Sequence, residues 1–244
     1  MTAENLLWAP APTPSLPVVG SAQRFPVRRI FCVGRNYHAH AVEMGRPVDK
    51  ATAKPFYFLK DAAALVHSGA TVAYPPGTAN YHFEMELVVA IGAAGFRVAE
   101  ADAARLVYGY AAGLDMTRRD LQLVARDQGR PWDLGKNFEQ SAVCGAIVPL
   151  GNLGLQGGGV HGVLASGRIA LQVNGAPKQT ADLNQLIWNI PELLADLSQY
   201  YHLQPGDLIY TGTPEGVGAV LPGDAITGQI EHVGDVALTI GQPE

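Results

Sequence analysis

The 244-residue sequence has little charge of either sign, only two cysteines and no long hydrophobic run. Charged residues make up 16% of the chain, and the formal net charge is −5. Because there is no basic excess to neutralise phosphates, binding to nucleic acid through bulk charge is excluded. No stretch of about 18 apolar residues occurs, so no segment is expected to span a membrane. The hydrophobic content of 48% excludes an intrinsically disordered chain.

The two cysteines, Cys32 and Cys144, lie far apart and form no CxxC pair. This pattern indicates two reduced, buried thiols rather than a disulfide framework. The first residues contain neither a positively charged region nor a long apolar core, so a secretory signal is not expected. These features favour a cytoplasmic protein.

Glycine and proline are abundant, with 28 and 17 residues. Such a surplus indicates many tight turns, and therefore a β-rich fold rather than a helical bundle. Residues 1–26, punctuated by prolines, are interpreted as an extended N-terminal arm. No linker or repeat divides the remainder, so residues 27–244 are interpreted as a single mostly-β, α+β domain with a few short helices.

Short apolar runs bounded by turn residues predict the strands. They cover residues 30–33, 56–59, 84–91, 108–114, 169–173, 208–210 and 236–240. A short helix is predicted over residues 38–44, ending at Gly45. A second helix is predicted to begin near Pro191 and to carry an apolar stripe that extends to Tyr200 and Tyr201.

A glycine-rich stretch over residues 151–162 contains a GxGxxG pattern at Gly157, Gly159 and Gly162. No strong strand precedes this pattern and no convincing helix follows it. The stretch is therefore interpreted as a surface loop rather than as a phosphate-binding turn.

Two acidic residues interrupt the apolar pattern of the strand predicted over residues 84–91. Glu84 and Glu86 lie two residues apart and so share one face of a strand, which continues with Val88 and Ala90. Partly buried carboxylates side by side repel each other and lose hydration, which a divalent cation would relieve. Oxygen ligands favour Mg²⁺, Mn²⁺ or Ca²⁺. The alternative is that both glutamates lie at the exposed end of the strand and are solvated.

A third carboxylate, Asp115, ends the apolar run over residues 110–114. An acid at the tip of a buried strand is a frequent position for site chemistry. The convergence of Glu84, Glu86 and Asp115 on one divalent cation is therefore a hypothesis that the sequence supports without deciding.

One histidine and one glutamate have the spacing of an interacting pair. His40 and Glu43 lie three residues apart on the predicted short helix, so their side chains can touch. A carboxylate that orients an imidazole raises its basicity, as a general base requires. Such a pair also occurs on ordinary surfaces, and Arg118, Arg119 and Lys136 are unremarkable as isolated cations.

Taken together, these segments resemble the fumarylacetoacetate hydrolase family over about residues 27–240. The resemblance is carried by an ordered set of segments: Val33–Tyr37 with His40 and Glu43, Phe56–Lys60, His82–Leu87, Gly113–Gln122, Pro131–Trp132 with Lys136 and Phe138, Val173–Gly175, and Gly206–Asp207 through Thr211–Gly218. The ordered set of segments is more specific for the family than any single segment is.

The resemblance implies a mixed β-roll fold of the fumarylacetoacetase C-terminal type, usually as a homodimer, with Mg²⁺ or Mn²⁺ held by three acids. Those acids correspond here to Glu84, Glu86 and Asp115. The positions that hold the oxo-acid end of the ligand correspond to Arg119, Gln122, Lys136 and Thr213. His40 and Glu43 correspond to a water-activating pair on a lid, and Lys136 to a group that stabilises negative charge.

Within the family the short chain most resembles the acylpyruvate hydrolases. The expected reaction is hydrolysis of a C–C bond in a 2,4-dioxo acid, with fumarylpyruvate from gentisate-type aromatic degradation as the expected substrate. Two positions depart from the family pattern: Phe83 replaces a common histidine, and Asp61 replaces a common proline after Lys60. Because Asp61 would weaken Lys60 as an anion contact, Lys60 is not assigned to the site.

Two other functions remain open at this point. One is a lyase that decarboxylates oxaloacetate or a related unsaturated dioxo acid at the same metal site, since both reactions pass through the same enolate. The other is a metal-binding domain without catalytic activity, against which the combination of three acids with the His40–Glu43 pair argues.

Overall fold

A computed structural model describes residues 6–153 and 163–244 of the chain. The GxGxxG pattern at Gly157, Gly159 and Gly162 lies outside these described residues. Within them the chain is mostly β with a few short helices, which confirms the predicted fold class.

Strands outnumber helices in the described chain, and most of them are short. In chain order these are β1 (Ser15–Pro17), β2 (Arg24–Pro26), β3 (Arg29–Gly34), β4 (Phe56–Lys60), β5 (Leu65–His67), β6 (Ala70–Val72), β7 (Tyr81–Phe83), β8 (Met85–Ile91), β9 (Val107–Asp115), β10 (Thr117–Arg118), β11 (Ala142–Cys144), β12 (Val148–Pro149), β13 (Arg168–Val173), β14 (Ala176–Asp182), β15 (Asp207–Tyr210), β16 (Gly218–Ala219), β17 (Ala225–Ile230) and β18 (Gly234–Ile240).

The described helices are short. They are α1 (His38–Glu43), α2 (Arg119–Asp127), α3 (Asp133–Lys136) and α4 (Ile190–Leu197), with 3-10 helices at Ala62–Ala64, Glu100–Leu106, Leu150–Asn152 and Leu183–Gln185. The longest of them, α2, has nine residues. None of the helices in the described ranges therefore approaches the length of about 20 residues that crossing a membrane requires.

An eight-stranded mixed sheet forms the centre of the molecule, in the order β4-β3-β15-β8-β9-β11-β5, with β12 paired to β9. A five-stranded sheet has the order β14-β13-β17-β18-β6. Two smaller sheets consist of β1-β2 and of β10-β7-β16. Strand β15 comes late in the chain but lies between β3 and β8, which places the Thr211–Thr213 segment beside the acidic strand.

Strand β8 is buried on both faces, as its continuous apolar sequence requires. Met85, Leu87 and Val89 point into the larger hydrophobic cluster, which also contains apolar residues of β13, β17 and β18. Val88 and Ala90 point into a second cluster on the opposite face. Glu86, the acidic residue of this strand, therefore lies between two apolar layers, and its charge needs a partner within the protein.

The N-terminal segment takes a larger part in the core than the predicted arm implies. Strands β1 and β2 pair antiparallel, and Leu16 and Phe25 are buried in the second hydrophobic cluster. Val18 also forms a parallel bridge with Ile147. Packing therefore joins this part of residues 1–26 to the central sheet, because the apolar face that contains Val88 would otherwise be exposed.

Two expectations about local structure need correction. Glu84 does not lie in the same strand as Glu86, because the chain leaves β7 at Phe83 and enters β8 at Met85. Helix α4 ends at Leu197, so Tyr200 and Tyr201 do not continue its apolar stripe and are exposed.

Candidate metal centre and active site

Three carboxylates converge at the end of the central sheet, as the sequence predicts. Glu84, Glu86 and Asp115 each place one oxygen within 4.8 Å of the others, and all three residues are buried. The backbone explains this arrangement, because the Asp115 amide donates a hydrogen bond of 2.9 Å to the Glu84 carbonyl. Glu86 pairs with Gly113 on the neighbouring strand β9.

Glycine at position 113 makes room for this centre. A Cβ atom there would lie 2.5 Å from Cγ2 of Val88 and 2.8 Å from Cε1 of Tyr210. Gly212 has a similar role, with φ at +102° and a hypothetical Cβ 2.7 Å from that of Asn36. Its backbone N–H donates a 2.7 Å hydrogen bond to Oε2 of Glu86. Both positions therefore need a residue without a side chain.

Three buried cations surround the carboxylates. Lys136 Nζ lies 2.7 Å from Oε2 of Glu84 and 2.7 Å from Oδ2 of Asp115, and it donates a third hydrogen bond to Thr117 Oγ1. The Arg119 guanidinium donates to Oε1 of Glu84. Lys60 Nζ lies 2.9 Å from Oδ1 of Asp115, outside the angles of a hydrogen bond. Three acids and three bases thus balance in formal charge.

The pKa values of the two glutamates are shifted in opposite directions. Burial favours the protonated form of Glu84, but the charges of Lys136 and Arg119 outweigh burial and lower the pKa of Glu84 well below its usual value. Burial, followed by the negative charges of Asp115 and Glu84, raises the pKa of Glu86 well above its usual value. Glu86 is thus the acid of the three whose charge is least compensated by the protein.

The side chains present fit a hard divalent cation. All the converging donor atoms are carboxylate oxygens, which Mg²⁺ and Mn²⁺ prefer. Oδ1 of Asp115 is buried without a hydrogen-bond partner, and Glu86 has no basic side chain within 4.0 Å among the described residues. A bound cation would supply the missing partner for both, and it would leave the centre with an excess of two positive charges that attracts anions.

His40 and Glu43 form the predicted pair on α1. Nδ1 of His40 lies 3.1 Å from Oε2 of Glu43, and His40 is 5% exposed. The Gly216 N–H donates to Oε1 of Glu43 at 3.1 Å, so the carboxylate is fixed from a second segment. His40 lines the same small cavity as Glu84 and Lys136, which places the pair next to the carboxylates.

The same cavity, of about 40 Å³, contains most of the predicted ligand-binding residues. Arg119 and Gln122 line it from helix α2, and Nη1 of Arg119 donates a 2.6 Å hydrogen bond to Oε1 of Gln122. Phe58 and Trp132 form an aromatic wall, with ring centroids 5.9 Å apart. Together with the adjoining open groove of about 590 Å³, which Phe58, Trp132 and Lys136 also border, the cavity offers cationic and aromatic contacts to a small anionic ligand.

Comparison with known proteins bears on the identity of this site. The family model for the fumarylacetoacetate (FAA) hydrolase C-terminal domain matches residues 29–241. The chain belongs to the fumarylacetoacetate hydrolase family. A fumarylpyruvate hydrolase from Ralstonia sp is 61% identical over 201 residues, which cover 82% of this chain and 100% of the relative. The mitochondrial oxaloacetate tautomerase of Homo sapiens is 36% identical over 217 residues, covering 89% and 93% of the two chains.

A solved structure of the same family agrees in fold over nearly the whole chain. The crystal structure of fumarylpyruvate hydrolase from Pseudomonas aeruginosa, in complex with Mn²⁺ and pyruvate, superposes with a TM-score of 0.90 at 46% identity. The alignment covers 98% of this chain and 100% of the other. The fold expected from the family resemblance is thereby confirmed.

Thr213 is the one predicted ligand-binding residue that does not line the 40 Å³ cavity. It is buried next to Gly212, and its hydroxyl accepts a 2.9 Å hydrogen bond from Nε2 of Gln179. Gln179 also accepts a hydrogen bond from the Met85 N–H at 3.0 Å. Gln179 thereby connects the Thr213 loop to the start of the acidic strand.

Three residues of the site were not assigned from the sequence. Lys60 is buried against Asp115, and Asp61 does not weaken it, because the Asp61 carboxylate accepts the Ala63 N–H at the start of a 3-10 helix. Gln179 and Asn36 act through hydrogen bonds to distant backbone. Nδ2 of Asn36 donates to the Thr211 carbonyl at 2.8 Å and so fixes the base of the α1 segment. For Asn36 and Gln179 the sequence offers no signal, since each also bonds to backbone far along the chain, at Thr211 and at Met85.

Proposed function

We propose that this protein is a metal-dependent hydrolase that cleaves the C3–C4 bond of a 2,4-dioxo acid, with fumarylpyruvate as substrate. The observation that carries the proposal is that His40, hydrogen-bonded to Glu43, lines the same cavity as Glu84, one of three buried carboxylates that converge. The 61% identity to a fumarylpyruvate hydrolase supports the choice of substrate. Release of fumarate and pyruvate would place the enzyme in gentisate-type aromatic degradation.

Glu84, Glu86 and Asp115 would hold Mg²⁺ or Mn²⁺, which supplies Lewis-acid polarisation of the oxo acid. Arg119 and Gln122 would bind the C1 carboxylate, because both line the cavity next to Glu84. Thr213 would contribute through the Gly212 loop that binds Glu86. Lys136 has all three of its protons directed to protein oxygens, so its first role is to hold Glu84 and Asp115 in place.

His40 would act as the general base of the hydrolysis. It accepts a proton from a water molecule, whose oxygen attacks the C4 carbonyl, and Glu43 keeps the imidazole in the orientation that this transfer requires. The C3–C4 bond then breaks with its electrons on C3, and C3 takes up a proton to give pyruvate. The carboxylic acid formed at C4 is fumarate.

The alternative function is decarboxylation of oxaloacetate or of a related unsaturated dioxo acid. Relatives that are 36% identical are oxaloacetate tautomerases, so a four-carbon oxo acid is a reasonable second ligand for this site. Decarboxylation requires the acid triad but no base to activate water. The presence of an oriented, buried His40 favours hydrolysis as the main activity.

The proposal extends to a homodimeric, cytoplasmic enzyme. Two observations support it: the family resemblance, which implies a dimer, and the two buried thiols of Cys32 and Cys144, which form no disulfide. Light scattering on the purified protein would test the dimer.

Removal of the metal provides the direct test of the function. We expect the purified protein to cleave fumarylpyruvate, to lose this activity after dialysis against a chelator, and to regain it with Mg²⁺ or Mn²⁺. Acetylpyruvate and oxaloacetate, assayed in parallel, separate hydrolysis from decarboxylation. Full activity after complete metal removal, measured by elemental analysis, would contradict the proposal.

Substitution of Arg119 tests the binding of the oxo-acid end. Arg119→Lys keeps a positive charge beside Glu84 but loses the planar fork, so KM for fumarylpyruvate is expected to rise about tenfold. Arg119→Ala should raise KM further and should also weaken Mn²⁺ binding, because Glu84 loses a partner. An unchanged KM in both variants would show that Arg119 only neutralises Glu84.

A further inference from the structure

The cavity above the carboxylates contains more positive charge than the proposed chemistry uses. Besides Arg119 and Lys136, three other arginines line it: Arg35, Arg46 and Arg126. The cavity is continuous in its lining with an open groove of about 590 Å³, because Phe58, Arg126, Trp132 and Lys136 border both. A ligand that extends beyond the metal centre would therefore pass these arginines.

Two of the three arginines have no acidic partner in the part of the chain that the structure describes. Arg119 and Lys136 are neutralised by buried carboxylates, but Arg35 and Arg46 have no carboxylate within 4.0 Å among the described residues. Arg126 pairs only with its neighbour Asp127, whose side chain is 60% exposed. An exposed pair of this kind contributes little energy, so Arg126 can exchange it for a better anion.

Helix α2 sets the distance between the two ends of the cavity. Arg119, Gln122 and Arg126 occupy positions i, i+3 and i+7, so they lie on one face of the helix. The helical rise separates the backbones of Arg119 and Arg126 by about 10 Å along the axis. The two carboxyl carbons of an extended seven-carbon dicarboxylate lie about 7 Å apart. The long side chain of Arg126 can span the difference.

The other two arginines belong to the segment that carries the general base. Arg35 precedes α1, with φ at +58°, and its guanidinium lies 5.7 Å from the centre of the Phe56 ring. Arg46 follows α1, and its N–H donates a 2.9 Å hydrogen bond to the Ala41 carbonyl. His40 lies between them. An anion that contacts these arginines and Arg126 would join the His40 segment to helix α2.

From these observations we propose that Arg35, Arg46 and Arg126 form a second anion subsite, which binds a carboxylate at the far end of the acyl group. The subsite makes the enzyme selective for dicarboxylic acylpyruvates over those that end in a methyl group. This inference rests on the proposed function for the placement of the oxo-acid end at Arg119.

Binding of ligands that cannot be cleaved tests the subsite independently of catalysis. 2-Oxoheptanedioate has the length of fumarylpyruvate and both carboxylates but no C4 carbonyl, whereas 2-oxoheptanoate ends in a methyl group. We expect calorimetry with the Mn²⁺-loaded full chain to show tighter binding of 2-oxoheptanedioate. In Arg46→Met and in Arg126→Met the ratio of the two Kd values should fall about 10- to 100-fold. Arg105→Met, at an exposed position outside the cavity, is the matched control and should leave the ratio unchanged.

Kinetics provide the second readout. The ratio of kcat/KM for fumarylpyruvate to that for an analogue with a methyl group in place of the far carboxylate should fall by a similar factor in the two variants. Equal loss for both ligands, with the ratio kept within about twofold, would overturn the subsite. If the wild-type protein shows the expected Kd ratio but cleaves neither compound, the subsite stands and the proposed hydrolase function fails.

Discussion

His40→Ala is expected to lower kcat for fumarylpyruvate by at least about 100-fold, because a positioned base contributes about 10²–10⁴-fold to proton transfer. The imidazole is buried, hydrogen-bonded to Glu43 and directed to the cavity that contains Glu84. Any decarboxylation of oxaloacetate by the same protein should persist in large part, since that reaction needs no activated water. Steady-state kcat for both substrates, with bound metal quantified, is the measurement.

Two further variants give this experiment its controls. Glu43→Gln should reduce kcat less than His40→Ala, because an amide oxygen in the place of Oε2 can still accept hydrogen bonds from both the Gly216 N–H and the His40 ring. His38→Ala removes an exposed histidine from the same short helix and should change neither activity. Equal loss of both activities in His40→Ala at full metal occupancy would contradict a role limited to water activation.

Glu86→Gln and Lys136→Met should change the stability of the metal-free protein in opposite directions, although both should abolish efficient catalysis. Glu86 forms no salt bridge with any of the described residues, and its neighbours Asp115 and Glu84 repel it, so Glu86→Gln should keep or raise the free energy of unfolding. Lys136→Met leaves Glu84 and Asp115 without their shared ammonium, which should lower the free energy of unfolding by about 3–5 kcal/mol. Denaturant unfolding after chelation measures both.

The affinity for Mn²⁺ and the pH dependence of stability distinguish the two variants further. Loss of a ligand in Glu86→Gln should weaken Mn²⁺ binding by more than about 100-fold, beyond the usual effect of a residue that only supports a ligand. Because folding raises the pKa of Glu86, the metal-free folded state binds more protons above the unfolded pKa, and stability falls as pH rises from there through the folded pKa. In Glu86→Gln, this contribution to the fall in stability with rising pH should be absent. If metal-free Glu86→Gln is less stable than the metal-free wild type, Glu86 is not the acid whose charge is least compensated by the protein.

The sequence predicts the acids of the centre well because their signals are local. Alternation identifies the face shared by Glu84 and Glu86, and Asp115 ends an apolar run that the structure shows as β9. The break of the strand at Glu84 was missed, since β7 and β8 belong to different sheets and nothing in the residue types marks the change. Tyr200 and Tyr201 continue a helical period in the sequence, but the helix ends before them.

The surroundings of the acids could not be predicted in the same way, because they depend on sheet order. Lys60 reaches Asp115 from the end of β4, and the Gly212 N–H reaches Glu86 only because β15 inserts beside β8. Such contacts between distant segments leave no periodic pattern. The family resemblance supplied Arg119, Gln122 and Lys136, which residue type alone would leave as ordinary polar residues of the surface.

The insertion of β15 between β3 and β8 also has a consequence for how the chain is made. Residues 29–32 pair in parallel with residues 207–210, so the central sheet cannot close until residue 210 has left the ribosome. At a synthesis rate of about 5–20 residues per second, β3 and β8 each have an unpaired edge for several seconds. These two apolar edges are templates for pairing with other chains during that time. We therefore expect the yield of folded protein to depend on chaperones and on growth temperature more than the stability of the finished fold suggests.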